Sequence, residues 1–255
     1  MLNEYLKSFG EQQAKLRQVR PDLHNADMIL QFILEHPGFN SKEAAIEYYF
    51  KDGENSANKF KELIERCGFK TDQVHSLLEF ASGYGCVSRH LQKVMPQSLI
   101  TACDIHDQAI EFLQNKLGIH AILSKRNPKD FVFEEKYDLV FALSFFSHIP
   151  KNNFSPWLRA LKQCVKRSGY FVFTTHGLVS KRLHFGSDCQ LDSEGFYFAP
   201  TSEQKDLNVS EYGLTVTAPR FVLSLIEKLE GVSLNYFQEG FWWGHQDVYV
   251  LKSDS

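Results

Sequence analysis

The chain has no long apolar run. None of its 255 residues lies in a stretch approaching the roughly 20 consecutive apolar positions a membrane-spanning helix needs. No short apolar segment flanked by basic residues opens it, so no signal peptide is expected. It has no excess of positive charge either. The 28 Lys and Arg against 31 Asp and Glu leave a net charge of −3. That argues against the overall electrostatic footprint of a nucleic-acid or anionic-membrane binder, although a local basic patch is compatible with it. Cysteine is scarce. Cys67, Cys86, Cys103, Cys164 and Cys189 are scattered and odd in number, with no metal-ligand spacing. They read as free thiols of a reducing cytoplasm, with no metal expected. There is no internal repeat and no low-complexity tract. Phenylalanine, by contrast, is abundant at 22 residues, enough to build a core and to line a pocket.

The organisation is uneven. Residues 1–70 look helical and contain no strand-like run, with apolar residues at helical spacing over 26–34, 41–50 and 55–67. Ser41, followed by Glu43 and Glu47, is a helix start, and Gly53 and Gly68 act as breaks. This predicts an N-terminal helical cap. From Val74 short apolar strands alternate with amphipathic helices. Strands are expected over 74–80, 99–103, 120–123, 137–143 and 170–175, and helices over 87–94, 107–117 and 153–165, with Asp107 as an N-cap. Such alternation predicts an α/β fold with a parallel sheet covered on both faces. Residues 177–217 lack periodicity but carry Phe185, Phe196, Tyr197, Phe198 and Tyr212, too many aromatics for disorder, and read as an inserted lid. A helix over 219–229 and strands over 232–237 and 247–251 complete the chain.

The most informative stretch is the apolar strand ending at Glu79 and the turn Ala81-Ser82-Gly83-Tyr84-Gly85. Small residues let backbone approach a ligand closely. Asp104, at the end of the next apolar run, suits two vicinal ribose hydroxyls. A nucleoside-bearing cofactor is therefore expected. The dinucleotide fingerprint demands a third glycine, where this chain has Ser88. Glu79 is a second departure, because a pyrophosphate gains nothing from a carboxylate there while a cationic amino-acid tail does.

This pattern resembles class I S-adenosylmethionine-dependent methyltransferases, whose first motif runs acid-x-Gly-x-Gly-x-Gly. Ala81 stands at the first glycine, a tolerable change if that position needs no positive φ. Tyr137-Asp138-Leu139-Val140 and Lys166-Arg167-Ser168-Gly169 match later motifs, so the resemblance covers about residues 75–175. It implies a doubly wound, mostly parallel seven-stranded Rossmann-like sheet over 71–255, with an antiparallel last strand. The cofactor it implies is S-adenosyl-L-methionine, held by Glu79, Ala81, Ser82, Gly83, Gly85, Asp104, Ile105, Asn127, Leu143 and Ser144. For Asn127 a turn before Pro128 is an equal alternative. Arg89 is either a cofactor-carboxylate ligand or a solvated helix residue, and Tyr49 and Phe131 are read foremost as core. The segments Ser144-Phe145-Phe146-Ser147-His148, Thr174-Thr175-His176-Gly177 and His245-Gln246-Asp247 are similar to those of a bacterial subgroup of these enzymes.

In open α/β sheets ligands bind beyond the carboxyl ends of the strands. His148 and His176 follow two such ends, and the resemblance brings the 238–247 loop to the same rim. A hydroxyl acceptor needs a base near pH 7, which histidine supplies. The candidates are His148, His176 and His245, the last with Asp247 as orienter. Structural roles for each compete with this reading. The expected activity is O-methylation of a small molecule or saccharide. The alternatives are N-methylation of a small amine and a non-catalytic cofactor-binding regulator.

Overall fold

A computed structural model describes residues 2–254. The chain divides between Ser124 and Lys125 into two compact units.

In the first unit three helices precede the sheet: α1 (Glu4–Arg17), α2 (Met28–Glu35) and α3 (Lys42–Arg66). Ser41 caps α3, its hydroxyl accepting from Ala44 N–H at 3.1 Å. Gly53 does not break this helix. It lies mid-helix because a Cβ there would sit 2.1 Å from the Cys86 carbonyl oxygen, so close approach, not turn formation, demands the glycine. Gly68 does end it, with φ +86° and the Phe69 N–H bonded to Ile64 O at 3.0 Å. Leu6, Leu30, Ile33, Ile46, Tyr49 and Phe50 form a core for this segment. Each buried large side chain contributes about 1.5–3 kcal/mol.

Strands β1 (Ser76–Phe80), β2 (Leu99–Asp104) and β3 (His120–Leu123) pair in parallel, with α4 (Ser88–Val94) and α5 (Asp107–Phe112) in the crossovers. Asp107 is the first residue of α5 and makes no capping bond. His106 occupies the N-cap position. The helix closes in one wider π-type turn, Leu113–Leu117.

The second unit contains β4 (Tyr137–Ala142), α6 (Lys151–Gln163), β5 (Val165–His176), α7 (Leu178–Ser180), the short hairpin β6 (Phe196–Ala199) and β7 (Leu214–Thr217), α8 (Pro219–Ile226), β8 (Val232–Trp242) and β9 (Gln246–Ser253). β4 and β5 are parallel, and β9 runs antiparallel to both β5 and β8. The strand order of the seven-stranded sheet is β3-β2-β1-β4-β5-β9-β8. This is the mixed sheet expected, with the last strand antiparallel.

Two segments differ from the sequence reading. The 177–217 stretch is not featureless. It holds α7 and the β6–β7 hairpin, whose four-residue strands are too short for periodicity to register. Residues 238–247 are not a loop, because β8 runs on to Trp242 and a tight turn at Trp243 (φ +51°) and Gly244 (φ +75°) returns the chain. The tandem tryptophans therefore part: Trp242 is buried against Phe141, while Trp243 is 38% exposed. Four of the phenylalanines, Phe146, Phe154, Phe171 and Phe173, form one aromatic cluster, closed by Tyr249 stacked on Phe173.

Among the described residues no helix is long and apolar enough to cross a membrane.

Candidate functional site

β1 delivers Glu79 to the glycine turn as a buried carboxylate. Its one hydrogen-bond donor is the Ser88 hydroxyl, at 2.5 Å from Oε2, and no cation faces it among the described residues. Ser88 thus stands where the dinucleotide fingerprint has glycine because its hydroxyl serves Glu79. Burial pushes the Glu79 carboxyl up to about 8. The Ser88 bond opposes the shift and the charge of Asp104 adds to it.

Such an acid binds more protons folded than unfolded, so its contribution to stability falls as pH rises from its ordinary 4.5 to about 8. A cationic group bound beside it reverses this by favouring the carboxylate. With the cationic amino group that the resemblance implies bound beside Glu79, affinity for S-adenosylhomocysteine is expected to rise about tenfold per pH unit below about 8 and to level off above it. The Glu79→Gln variant should lose this slope. Calorimetry in buffers of different ionisation enthalpy reads the released proton, and a pH-independent wild-type affinity would refute the assignment.

The turn itself is left-handed at three places: Ala81 (φ +57°), Gly83 (φ +55°) and Gly85 (φ +75°). Gly85 favours glycine by its φ, and a Cβ there would push on the side-chain ends of Leu117 and Leu113 at 2.7 and 2.8 Å. The condition under which alanine is harmless at position 81 is not met, and Ala81 carries strain of about 1–2 kcal/mol. Ala81→Gly relieves it, at a cost of about 0.4–1 kcal/mol in unfolded-chain entropy. The variant is expected to melt about 2 °C higher, and an unchanged or lower midpoint would contradict the strain.

Asp104 ends β2 and accepts from Gly83 N–H at 2.8 Å through Oδ2, and from His106 N–H at 3.1 Å through Oδ1. The His106 ring also approaches Oδ1, at 2.7 Å. It is therefore held by the glycine turn rather than acting as a helix cap. Ser82 is tied to the same strand end, its N–H donating to Cys103 O at 3.1 Å, and Ile105 beside it is half-buried.

Arg89 has neither of the roles the sequence allowed. It is buried, with Nε bonded to Gly85 O at 3.0 Å and Nη1 to Arg20 O and Asp22 O at 2.9 and 3.0 Å. It clamps the segment before α2 onto the glycine turn, where His24 stacks on Tyr84 at 4.7 Å. Tyr49 is core, its hydroxyl donating to Asp27 at 2.7 Å.

In the second unit, Asn127 uses its side-chain oxygen to accept from Lys129 N–H at 3.0 Å, a turn role, and is exposed. Phe131 packs on Phe133 and Trp157 as core. Leu143 and Ser144 follow β4, both half-buried.

A row of histidines follows the ends of β4 and β5. The rings of His148 and His176 are 6.2 Å apart, those of His176 and His245 6.0 Å, and those of His245 and His184 4.6 Å. His148 Nδ1 faces Gly213 O at 2.8 Å and His176 Nδ1 faces Thr215 O at 3.3 Å. Carbonyls only accept, so both nitrogens carry the proton. Ser180 Oγ donates to His245 O at 2.7 Å and so accepts from His245 Nδ1 at 3.0 Å. His176 and His245 therefore keep Nε2 as the nitrogen without the proton. His148 Nε2 lies 3.4 Å from Glu203, and the ring stacks on Tyr212 at 4.5 Å. Burial pulls His176 down to about 3 and His245 to about 4, so both are neutral near pH 7.

Asp247 does not orient His245. Its Oδ1 accepts from Gly240 N–H at 3.0 Å, and burial pushes the carboxyl up to about 7. Gly177 is glycine because a Cβ there would lie 1.9 Å from Asp247 Oδ2. Periodicity carries no trace of these pairings. The register of β5 against β9, Thr175 opposite Asp247 and His176 opposite Gln246, creates them.

Residues 78–171 match the profile of a methyltransferase domain. A curated relative, the malonyl-[acyl-carrier protein] O-methyltransferase of Bacillus cereus, is 25% identical over 140 residues, 54% of this chain and 51% of that protein. This chain thus spans about half the length of that relative. The plantazolicin methyltransferase BpumL, solved with a desmethyl analogue and S-adenosylhomocysteine, is similar in structure, with a TM-score of 0.59 at 14% identity over 97% of this chain and 100% of that one. CalS10, an amino pentose methyltransferase from Micromonospora echinaspora solved with bound S-adenosylmethionine, gives 0.57 at 12% identity over 86% and 99%. At such identities the two structures speak for the fold. The chain has the Rossmann-like methyltransferase fold.

Proposed function

We propose that the chain is an S-adenosylmethionine-dependent methyltransferase that acts on a hydroxyl of a small molecule, a saccharide or similar polyol being the acceptor its histidines suit best. One observation carries this reading: His176 and His245 commit Nδ1 to the protein and leave Nε2 as a hydrogen-bond acceptor on a neutral ring. Neutral imidazoles recognise hydroxyl donors and give a carboxylate or phosphate nothing to bind. The half-buried face of Tyr212 and the exposed face of Trp243 suit a sugar ring.

Cofactor contacts are assigned to Glu79 for the amino group and Asp104 for the ribose, with Ala81, Ser82, Gly83 and Gly85 supplying close backbone and Ile105 an apolar face. Leu143 and Ser144 border its amino-acid end. When bound, the cofactor supplies a methyl group on a sulfonium. The protein's part is to align the acceptor oxygen for an in-line displacement and to take its proton. His148 is the base of choice. Its Nδ1–H is fixed on Gly213 O, and the Glu203 carboxylate, 3.4 Å from Nε2, stabilises the imidazolium that forms when Nε2 takes the acceptor's proton. His176, a far weaker base after burial, positions the acceptor instead. Residues 177–217 serve as the lid and residues 1–70 as a cap. The five free thiols suit the cytoplasm, and the acidic balance disfavours a nucleic-acid acceptor.

The test is methyl transfer from labelled cofactor to nucleotide sugars, glycans, phenols and small amines, after calorimetry with S-adenosylhomocysteine. Transfer to a hydroxyl supports the reading. Transfer to amines alone overturns the O-methylation part, and tight binding without transfer to any class favours a regulator. Wild-type protein that binds no cofactor overturns the whole.

A further inference from the structure

Ser144 leaves β4 with φ +60°, a left-handed conformation that glycine adopts freely and serine does not. A closed ring of hydrogen bonds holds it there. Ser144 N–H donates to Thr174 Oγ1 at 2.8 Å, the Thr174 hydroxyl donates to Gln246 Oε1 at 2.6 Å, and Gln246 Nε2 donates to Ser144 Oγ at 2.9 Å. The lengths fix the direction of the ring. A separation of 2.6 Å belongs to O–H···O and is short for N–H···O, so the amide oxygen of Gln246 faces Thr174 and its nitrogen faces Ser144. Thr174 and Gln246 are buried, while Ser144 is half-buried. Ser144 Oγ accepts within the ring. Its own proton finds no acceptor among the described residues and points out of the ring.

We propose that Thr174 and Gln246 are positioning residues that make the Ser144 hydroxyl an obligate donor to a carboxylate oxygen at the amino-acid end of the bound cofactor. The inference rests on the reading that Ser144 borders that end. An isolated serine hydroxyl rotates and both donates and accepts. The amide that donates into Ser144 removes that choice. The ring also pins the start of the Phe145–Ser147 turn leading to His148, which links donor placement to placement of the base.

The experiment measures the Kd of S-adenosylhomocysteine, and of its decarboxylated analogue, for wild type, Ser144→Ala, Gln246→Glu, the double variant, Thr174→Val and Thr174→Ser. A carboxylate at position 246 only accepts, so Ser144 would donate inward and be lost to the ligand. Ser144→Ala and Gln246→Glu are each expected to weaken binding about 10- to 100-fold, the range for a hydrogen bond to a charged group. The double variant should be no weaker than Ser144→Ala alone, because both changes remove one proton. Thr174→Val should weaken binding and Thr174→Ser restore it, without placing a charge in the interior. On the decarboxylated analogue these differences should vanish. A ring that merely supports the fold would weaken both probes equally, which overturns the proposal. So would Gln246→Glu and Thr174→Val proteins that bind like wild type, or losses that multiply in the double variant. Wild-type protein that binds neither probe overturns the cofactor reading itself, and this inference with it.

Discussion

An Asp104→Ala variant is expected to bind S-adenosylhomocysteine about 100-fold or more weakly than wild type. Two ribose hydroxyls donating to one carboxylate make two charge-assisted hydrogen bonds of about 1.5–3 kcal/mol each, and each 1.4 kcal/mol is a factor of ten. Asp104 is already anchored by Gly83 N–H and His106 N–H, so its oxygens are held in place before a ligand arrives. The same anchoring complicates the alanine variant, which also frees the Gly83 N–H at the turn. Asp104→Asn, which keeps an acceptor for that N–H while removing the charge, separates the two effects. It should weaken binding less than alanine and melt close to wild type. Calorimetry gives the affinities and thermal melts the stability. An alanine variant that binds as tightly as wild type would remove Asp104 from the cofactor site.

The second large effect is expected at His148. Its replacement by alanine should lower kcat for a hydroxyl acceptor by about 10²–10³, within the usual range for a general base, with the Kd of S-adenosylhomocysteine unchanged. The geometry gives the reason: Nδ1–H is held by the Gly213 carbonyl at 2.8 Å, which fixes both the tautomer and the ring. His176→Ala should cost nearer tenfold, and mainly in acceptor KM, because burial holds that imidazole at about 3 and leaves it a poor base. The two variants are compared in single-turnover assays on the acceptor found by the screen. Equal rates for wild type and both variants would sink the histidine-base mechanism.

Where the fold and the candidate site depended on local sequence, they were legible. Strand-helix alternation from Val74 requires only periodicity, and the turn at Gly83 and Gly85 requires only small residues after an apolar strand. Glu79 and Asp104 are readable because each stands at or next to the end of such a strand. Ser41 is readable because a cap bonds three residues ahead. What failed was of another kind. The sequence left Ala81 harmless, yet its φ is +57°, set by the path the turn takes between β1 and α4. Gly53 looked like a break, yet it sits mid-helix because the Cys86 carbonyl comes from elsewhere in the chain. Arg89 looked solvated or ligand-binding until the carbonyls of Arg20 and Asp22 closed on it.

By itself, then, the sequence determined the class of fold, the cofactor-type turn and the histidines that follow the strand ends, since each depends on neighbours a few residues away. Only the tertiary structure decided which imidazole nitrogens carry protons, how high burial lifts Glu79, and that Thr174 and Gln246 hold Ser144. Those properties depend on partners up to 102 residues distant, brought into register by the pairing of β5 with β9, and on the removal of water from around charged groups.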